Sequence, residues 1–279
     1  LVGSEMCIRD RPMAYNVSAD AQTKPDYTLN PFDNQQKFVS SLTGEDTALY
    51  ENINPELKEI KNGWEKYIAV AETDGPMYFY TDGTDAEKAE EKKNIHKDNR
   101  HDNCELYVNG EYVQNTCQRF LLNAVYLGDF KAGDTVDIQL KHVSKNKNEH
   151  DKQHLIYVSQ LNESVYNDVC DKLSAGSKTD LNINGNKISG SYTTDSDSLV
   201  MLTIPYAEGW TVKVDGEKTE YKELSETFIG LELSAGEHQI EMEYHTPSQK
   251  MSNVISVFGV FAFAVWCGAE YIIKKKKSK

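Results

Sequence analysis

The residues best equipped to engage a ligand lie in one short run, Ile204-Pro205-Tyr206-Ala207-Glu208-Gly209-Trp210, which leads directly into Thr211-Val212-Lys213-Val214-Asp215-Gly216. An aromatic face matches the apolar face of a pyranose ring, and a nearby carboxylate accepts hydrogen bonds from sugar hydroxyls. Tyr206, Glu208, Trp210 and Asp215 are therefore glycan-binding candidates, with Pro205, Gly209 and Gly216 shaping the turns around them. The same run has a structural reading, in which Trp210 closes the edge of a β-sandwich and its N–H bonds a neighbouring backbone carbonyl.

Other chemistry is sparse. No GxSxG, HExxH, P-loop or dinucleotide fingerprint occurs, and the acids are scattered through turns, so no catalytic residue is assigned. The histidines at 96, 101, 142, 150, 154, 238 and 245 fall mostly in loops or on strand faces, where solvent exposure is expected. Five cysteines, Cys7, Cys104, Cys117, Cys170 and Cys267, form no CxxC pair, and His96, His101 and Asp102 fit no standard zinc spacing. No metal and no cofactor is expected. Cys104 and Cys117 flank a predicted hairpin and are either a disulfide or two separate buried thiols.

The elements that position these residues are mainly β. The pattern predicts two β-sandwich-like modules with short helices, followed by one C-terminal transmembrane α-helix. Residues 13–66 read as an irregular lead-in broken at Pro25 and Pro31. It ends in one or two short helices that place Leu49, Ile53, Leu57, Ile60, Trp64 and Ile68 on one face. A first module spans 67–160 and contains the aromatic strand Met77-Tyr78-Phe79-Tyr80. It also contains the hairpin Leu106 to Val113 around Asn109-Gly110, since Asn-Gly supplies the two positive φ angles a two-residue turn needs. A linking helix is predicted over 161–176, with Val165, Val169 and Leu173 at four-residue steps. The second module, 177–247, holds short strands at the spacing of a sandwich. The two modules share a motif: Val108-Asn109-Gly110-Glu111 and Val214-Asp215-Gly216-Glu217 are each followed by Ala132-Gly133-Asp134 or Ala235-Gly236-Glu237 ahead of an alternating strand.

The overall hydrophobic share of 39% hides one apolar segment. Met251 to Ile273 carries a single formal charge, Glu270, and at about 1.5 Å per residue it is long enough for roughly 30 Å of hydrocarbon. The tail 274–279 holds five lysines, which the positive-inside rule keeps in the cytoplasm, leaving the bulk of the chain extracytoplasmic. Without those lysines the formal charge of −14 becomes about −19, which repels nucleic acid and anionic lipid. Residues 1–12, LVGSEMCIRDRP, show neither periodicity nor an export signal and resemble translated sequencing adaptor. A long outer region with no export signal implies that further membrane spans precede it in a longer protein.

Motifs in a shared order carry a resemblance along nearly the whole chain after the leader. They are Asn30-Pro31-Phe32-Asp33-Asn34-Gln35, Ser41-Leu42-Thr43-Gly44, Tyr107-Val108-Asn109-Gly110, Tyr126-Leu127-Gly128 with Gly133-Asp134, and Pro205-Tyr206 with Gly209-Trp210 and Val214-Asp215-Gly216. In these the chain resembles the C-terminal region of the YfhO family of bacterial multi-pass membrane proteins, which have the GT-C glycosyltransferase type of architecture. The resemblance implies a parent that moves a sugar from a lipid-phosphate carrier to a cell-surface polymer such as teichoic acid. That family's catalytic acids lie in an earlier membrane domain, so none is carried over. The implied role here is acceptor binding or bracing of the absent N-terminal membrane domain, with the lipid bilayer and a surface glycopolymer as partners. The alternative is a single-pass, membrane-anchored glycan-binding or adhesion module with no enzymatic activity.

Overall fold

The lead-in is more ordered than its sequence indicates. The computed structural model describes residues 12–19, 21, 23–26, 28–81, 83, 86, 104–116, 124–143 and 153–277. Strand β1 (Ala14–Val17) is followed by helix α1 (Pro31–Thr43). Pro31 opens this helix instead of breaking it, because the first turn has no use for the missing N–H. The Asn30 side chain caps it, accepting from the N–H groups of Phe32 and Asp33 at 2.9 and 3.0 Å, and Gly44 ends it at φ 72°.

The helical face expected over 46–67 is three strands instead: β2 (Tyr50–Ile53), β3 (Glu56–Lys61) and β4 (Trp64–Val70). Asn62 and Gly63 both take positive φ, 53° and 79°, and close a tight hairpin between β3 and β4. The inward face of β4 is Glu65, Tyr67 and Ala69, all buried. A buried glutamate conceals a period of two from any reading based on hydropathy.

The first core lies between two antiparallel sheets. Strands β5 (Gly75–Tyr80), β6 (Cys104–Val108), β7 (Glu111–Thr116), β8 (Val125–Phe130), β9 (Thr135–His142) and β10 (Tyr157–Leu161) complete them, in the orders β2-β10-β5-β8 and β3-β4-β9-β6-β7. Tyr67, Leu106, Ile138 and Leu140 from one sheet meet Met77, Phe79, Val125 and Val158 from the other.

Helix α2 (Glu163–Ser174), capped by Asn162, follows, two residues shorter at each end than the 161–176 expected from sequence. The second pair of sheets uses β11 (Ser177–Asn184), β12 (Lys187–Thr194), β13 (Ser198–Pro205), β14 (Trp210–Val214), β15 (Glu217–Lys218), β16 (Lys222–Leu224), β17 (Phe228–Leu233) and β18 (Gly236–Tyr244). Their orders are β1-β13-β17-β16 and β11-β12-β18-β14-β15. β13 is apolar on both faces for a reason: Val200 and Leu202 face the inner core, while Leu199 and Met201 meet Leu42 and Phe38 of α1 and Leu173 of α2.

The two five-stranded sheets correspond strand for strand, β3-β4-β9-β6-β7 with β11-β12-β18-β14-β15. The shared turns sit at equivalent points. Asn109 and Asp215 take φ of 50° and 53°, each ahead of a glycine at 84° and 83°. Each turn side chain accepts from the strand beside it, Asn109 Oδ1 from the Asp137 N–H at 2.9 Å and Asp215 Oδ1 from the Gln239 N–H at 2.8 Å.

Helix α3 (Gln249–Lys277) closes the chain, and every described side chain over 254–269 is exposed. Among the described residues no helix is long and apolar enough to cross a membrane, the described side chains of this helix ending at 269.

Candidate functional site

Two clusters concentrate chemistry, and only one lies where the sequence pointed. In the run 204–216, Trp210 is half-buried at the start of β14. Its Nε1–H donates to the Pro205 carbonyl at 3.3 Å, and its ring packs on Tyr244 with centroids 5.2 Å apart. Tyr206 packs on Tyr221 at 5.6 Å, and the Tyr221 hydroxyl donates to the Ala207 carbonyl at 2.9 Å. Glu208 is exposed beside them. Gly209 has a steric purpose, since a Cβ there would lie 2.3 Å from the His245 carbonyl oxygen and 2.6 Å from the Tyr244 ring.

Asp215 does not join this group. It sits past the far end of β14, five residues from Trp210, which is roughly 16 Å of extended chain. There it pairs with His238, whose Nδ1 lies 2.8 Å from Oδ2 while Nε2 lies 3.0 Å from the Ser234 carbonyl oxygen. The hydrogen bond to His238, then that from the Gln239 N–H, holds the Asp215 carboxyl below its ordinary value of 3.8. The bond to Asp215, then that to Ser234, raises His238 above 6.5.

The signs of these shifts define a pH window. Stability from a lowered carboxyl is present above its unfolded value of 3.8 and fades as pH falls through the folded value. Stability from a raised imidazole is complete below 6.5 and fades as pH rises through the folded value. Both contributions are therefore present between those limits. In Asp215→Asn, which tolerates the positive φ, the His238 titration followed by NMR is expected to move down toward 6.5. An unchanged His238 titration would mean the pair is not formed in solution.

The second cluster was not visible in sequence and corrects the expectation that the histidines are exposed. His142 and His154 are buried, with 6% and 2% of their surface accessible. His142 ends β9 and lies directly opposite Cys104, the first residue of β6. Glu65 and Tyr67 come from β4 on the other side of β9, and His154 lies on the segment that leads into β10.

His142, His154 and Tyr67 converge on the Glu65 carboxylate. Oε1 lies 2.6 Å from His142 Nε2 and 2.5 Å from His154 Nδ1. Oε2 accepts from the Tyr67 hydroxyl at 2.5 Å and the His154 backbone N–H at 3.0 Å. The other ring nitrogen of His154, Nε2, lies 3.9 Å from Cys104 Sγ. Burial works strongly against the charge on Glu65. The hydrogen bonds from His142 and His154, the charge of His154 and the bond from Tyr67 outweigh it and bring the carboxyl down to about 2. Burial, then the charge of Glu65, pushes the Tyr67 phenol far up, so it remains a donor. The cluster is thus an ionised acid enclosed by donors inside an otherwise apolar core.

Of the remaining expected residues, Cys117, His96, His101, Asp102 and His150 lie outside the described residues, and with them the Cys104–Cys117 pairing. A mostly apolar groove of about 750 Å³ also runs between α1, α2 and β13, lined by Phe38, Leu42, Val169, Leu173, Met201 and Phe228.

A family model described as "Bacterial membrane protein YfhO" matches residues 10–256. The chain belongs to the YfhO family. The "Uncharacterized protein YfhO" of Bacillus subtilis strain 168 is 33% identical over 97 residues, a stretch that takes in 35% of this chain and 11% of that relative. The match therefore spans a minor part of the longer YfhO protein. Among solved structures, the GH2 beta-galacturonidase from Eisenbergiella tayi bound to galacturonate overlaps at 10% identity and a TM-score of 0.24, over 72% of this chain and 36% of that one. The β-glucuronidase from Ruminococcus gnavus overlaps at 13% identity and a TM-score of 0.22, over 67% and 34%. Overlaps this loose carry no argument about the YfhO chain.

Proposed function

We propose that this chain is the extracytoplasmic C-terminal portion of a membrane glycosyltransferase-like YfhO protein. In this reading α3 is its anchor and the four sheets brace the preceding membrane domain or receive the surface polymer that is glycosylated. Membership of a family of bacterial membrane proteins supports the setting. The observation that carries the topology is α3 itself. It is 29 residues long, roughly 43 Å at 1.5 Å per residue, with Val257, Phe258, Val260, Phe261, Phe263 and Trp266 all exposed and four lysines as its last residues. Exposed apolar surface on every side of a helix is what a lipid environment accommodates. The positive-inside rule then places 274–279 in the cytoplasm and the β region outside.

The test is made in the intact gene of a strain that decorates its surface polymer through this protein. Replacing residues 13–247 with a flexible linker is expected to abolish the decoration while the membrane domain still inserts. Normal decoration would remove any acceptor or bracing role.

A second reading, a single-pass glycan-binding module, draws on the half-buried aromatics Tyr206, Trp210, Tyr221 and Tyr244 beside the exposed Glu208. It expects calorimetric binding of a teichoic acid or peptidoglycan fragment that Tyr206→Ala weakens. Absence of binding across both polymer classes would eliminate it.

A further inference from the structure

We propose that Cys104, His142 and His154 bind one zinc ion at the end of the first core, with Glu65 orienting both imidazoles from behind.

The three donor groups come from separate elements, and one ligand atom of each lies within 4.8 Å of the others. Tetrahedral zinc with bonds of about 2.0–2.3 Å brings sulfur and nitrogen donors to roughly 3.5 Å of one another, so the 3.9 Å between His154 Nε2 and Cys104 Sγ needs little adjustment. Glu65 decides which nitrogens face the metal. Its Oε1 takes the Nε2–H of His142 and the Nδ1–H of His154, so the nitrogens that would ligate are Nδ1 of the first ring and Nε2 of the second, the latter on the thiol side. A carboxylate behind a histidine is the usual partner of a zinc-bound imidazole, because it sets the tautomer and raises the basicity of the ligating nitrogen.

Charge supports the same assignment. A dication, one thiolate and one carboxylate sum to zero, so the metal neutralises a carboxylate that the apolar core otherwise penalises. Sulfur with two imidazoles selects zinc over magnesium or calcium, which require oxygen donors. On binding, the Cys104 Sγ–H proton leaves to solvent, the Zn–S bond forms, and no electron is transferred. The fold adds a reason for a staple here. The metal would join the ends of β6 and β9 to the segment entering β10 of the opposite sheet, so the two sheets are tied at one end of their strands.

The test uses the full chain in detergent under reducing conditions, with Zn²⁺ and Co²⁺ as probes. One equivalent of zinc per chain by elemental analysis is expected, together with a thiolate-to-cobalt charge-transfer band after Co²⁺ exchange. Cys104→Ser should abolish that band, and Cys117→Ser should leave it. Glu65→Gln should keep the band while weakening affinity about 10–100-fold. If Cys104→Ser does not fold, as judged by circular dichroism, His154→Gln replaces it and should lower Co²⁺ affinity at least as far as Glu65→Gln. Wild-type protein that is folded and reduced yet takes up no zinc and shows no band overturns the proposal. So does a band lost in Cys117→Ser, or one indifferent to both the Cys104 and the His154 variants.

Discussion

Replacing Glu65 with alanine is expected to cost about 3–5 kcal/mol of unfolding free energy, the range for removing one partner of a buried ionic cluster. The loss has two sources. Four donors converge on this carboxylate: the ring N–H groups of His142 and His154, the Tyr67 hydroxyl and the His154 backbone N–H. Once the acceptor is gone, each of these buried groups loses a bond it cannot recover from water. The vacated volume also lies within the first core, against residues that are themselves fully buried. Glu65→Gln should cost clearly less, because the amide oxygen still accepts from one ring. Urea denaturation of the full chain in detergent gives both values. A loss under about 1 kcal/mol for the alanine variant would show that the core closes over the site or that water enters it.

If α3 is the anchor proposed above, a single arginine at Phe261 is expected to release the chain from membranes. Phe261 is exposed near the middle of α3, and an arginine at the centre of a spanning helix costs about 2.5–3.5 kcal/mol of insertion free energy. That is roughly two orders of magnitude in the partition between inserted and uninserted forms. Alkaline extraction of membranes from cells expressing the chain should find the wild type in the pellet and Phe261→Arg shifted toward the supernatant. Arginine at Ser252, near the head of the helix, is the control, since a long side chain there reaches the interface and should change little. Equal extraction of all three proteins would mean that α3 lies on the membrane or against another protein.

What the sequence made legible was local and rested on backbone conformation. Asn109-Gly110 and Asp215-Gly216 announce their turns because few other pairs accept two positive φ angles, and the strands on either side follow from them. Helix α2 is legible in the four-residue apolar steps of Val165, Val169 and Leu173. What failed depended on distant partners. β1 is four residues long and has meaning only beside β13. Asn30-Pro31 reads equally as a break or as a cap followed by a first helical residue, and what packs against Phe32 decides between them.

The buried cluster was hidden for a related reason. Glu65 and Tyr67 lie two apart on β4, where the sequence pattern predicts a helix, and every other pair of members is 12 to 89 residues apart, so no short spacing exposes them. One signal was available. Cys104 continues the inward phase of Leu106 and Val108, and His142 continues that of Ile138 and Leu140. A strict application of strand alternation would have placed both side chains inside. The aromatic run leads into β14, and a strand separates Asp215 from Trp210, a length that the linear sequence makes easy to overlook.

The pairing of β1 with β13 sets a schedule for synthesis. Ala14 sits opposite Leu202, so the first strand has no partner until almost two hundred residues have been added. At about 5–20 residues per second on a ribosome, that wait is on the order of 10–40 s. The strands of the first pair of sheets all lie between β1 and β13, and once Leu161 has been added that pair has everything it needs to fold, ahead of β13. The growing chain therefore carries the first pair of sheets and, N-terminal to it, a strand still without its partner. That interval is when a chaperone or a neighbouring chain would find an edge to bind.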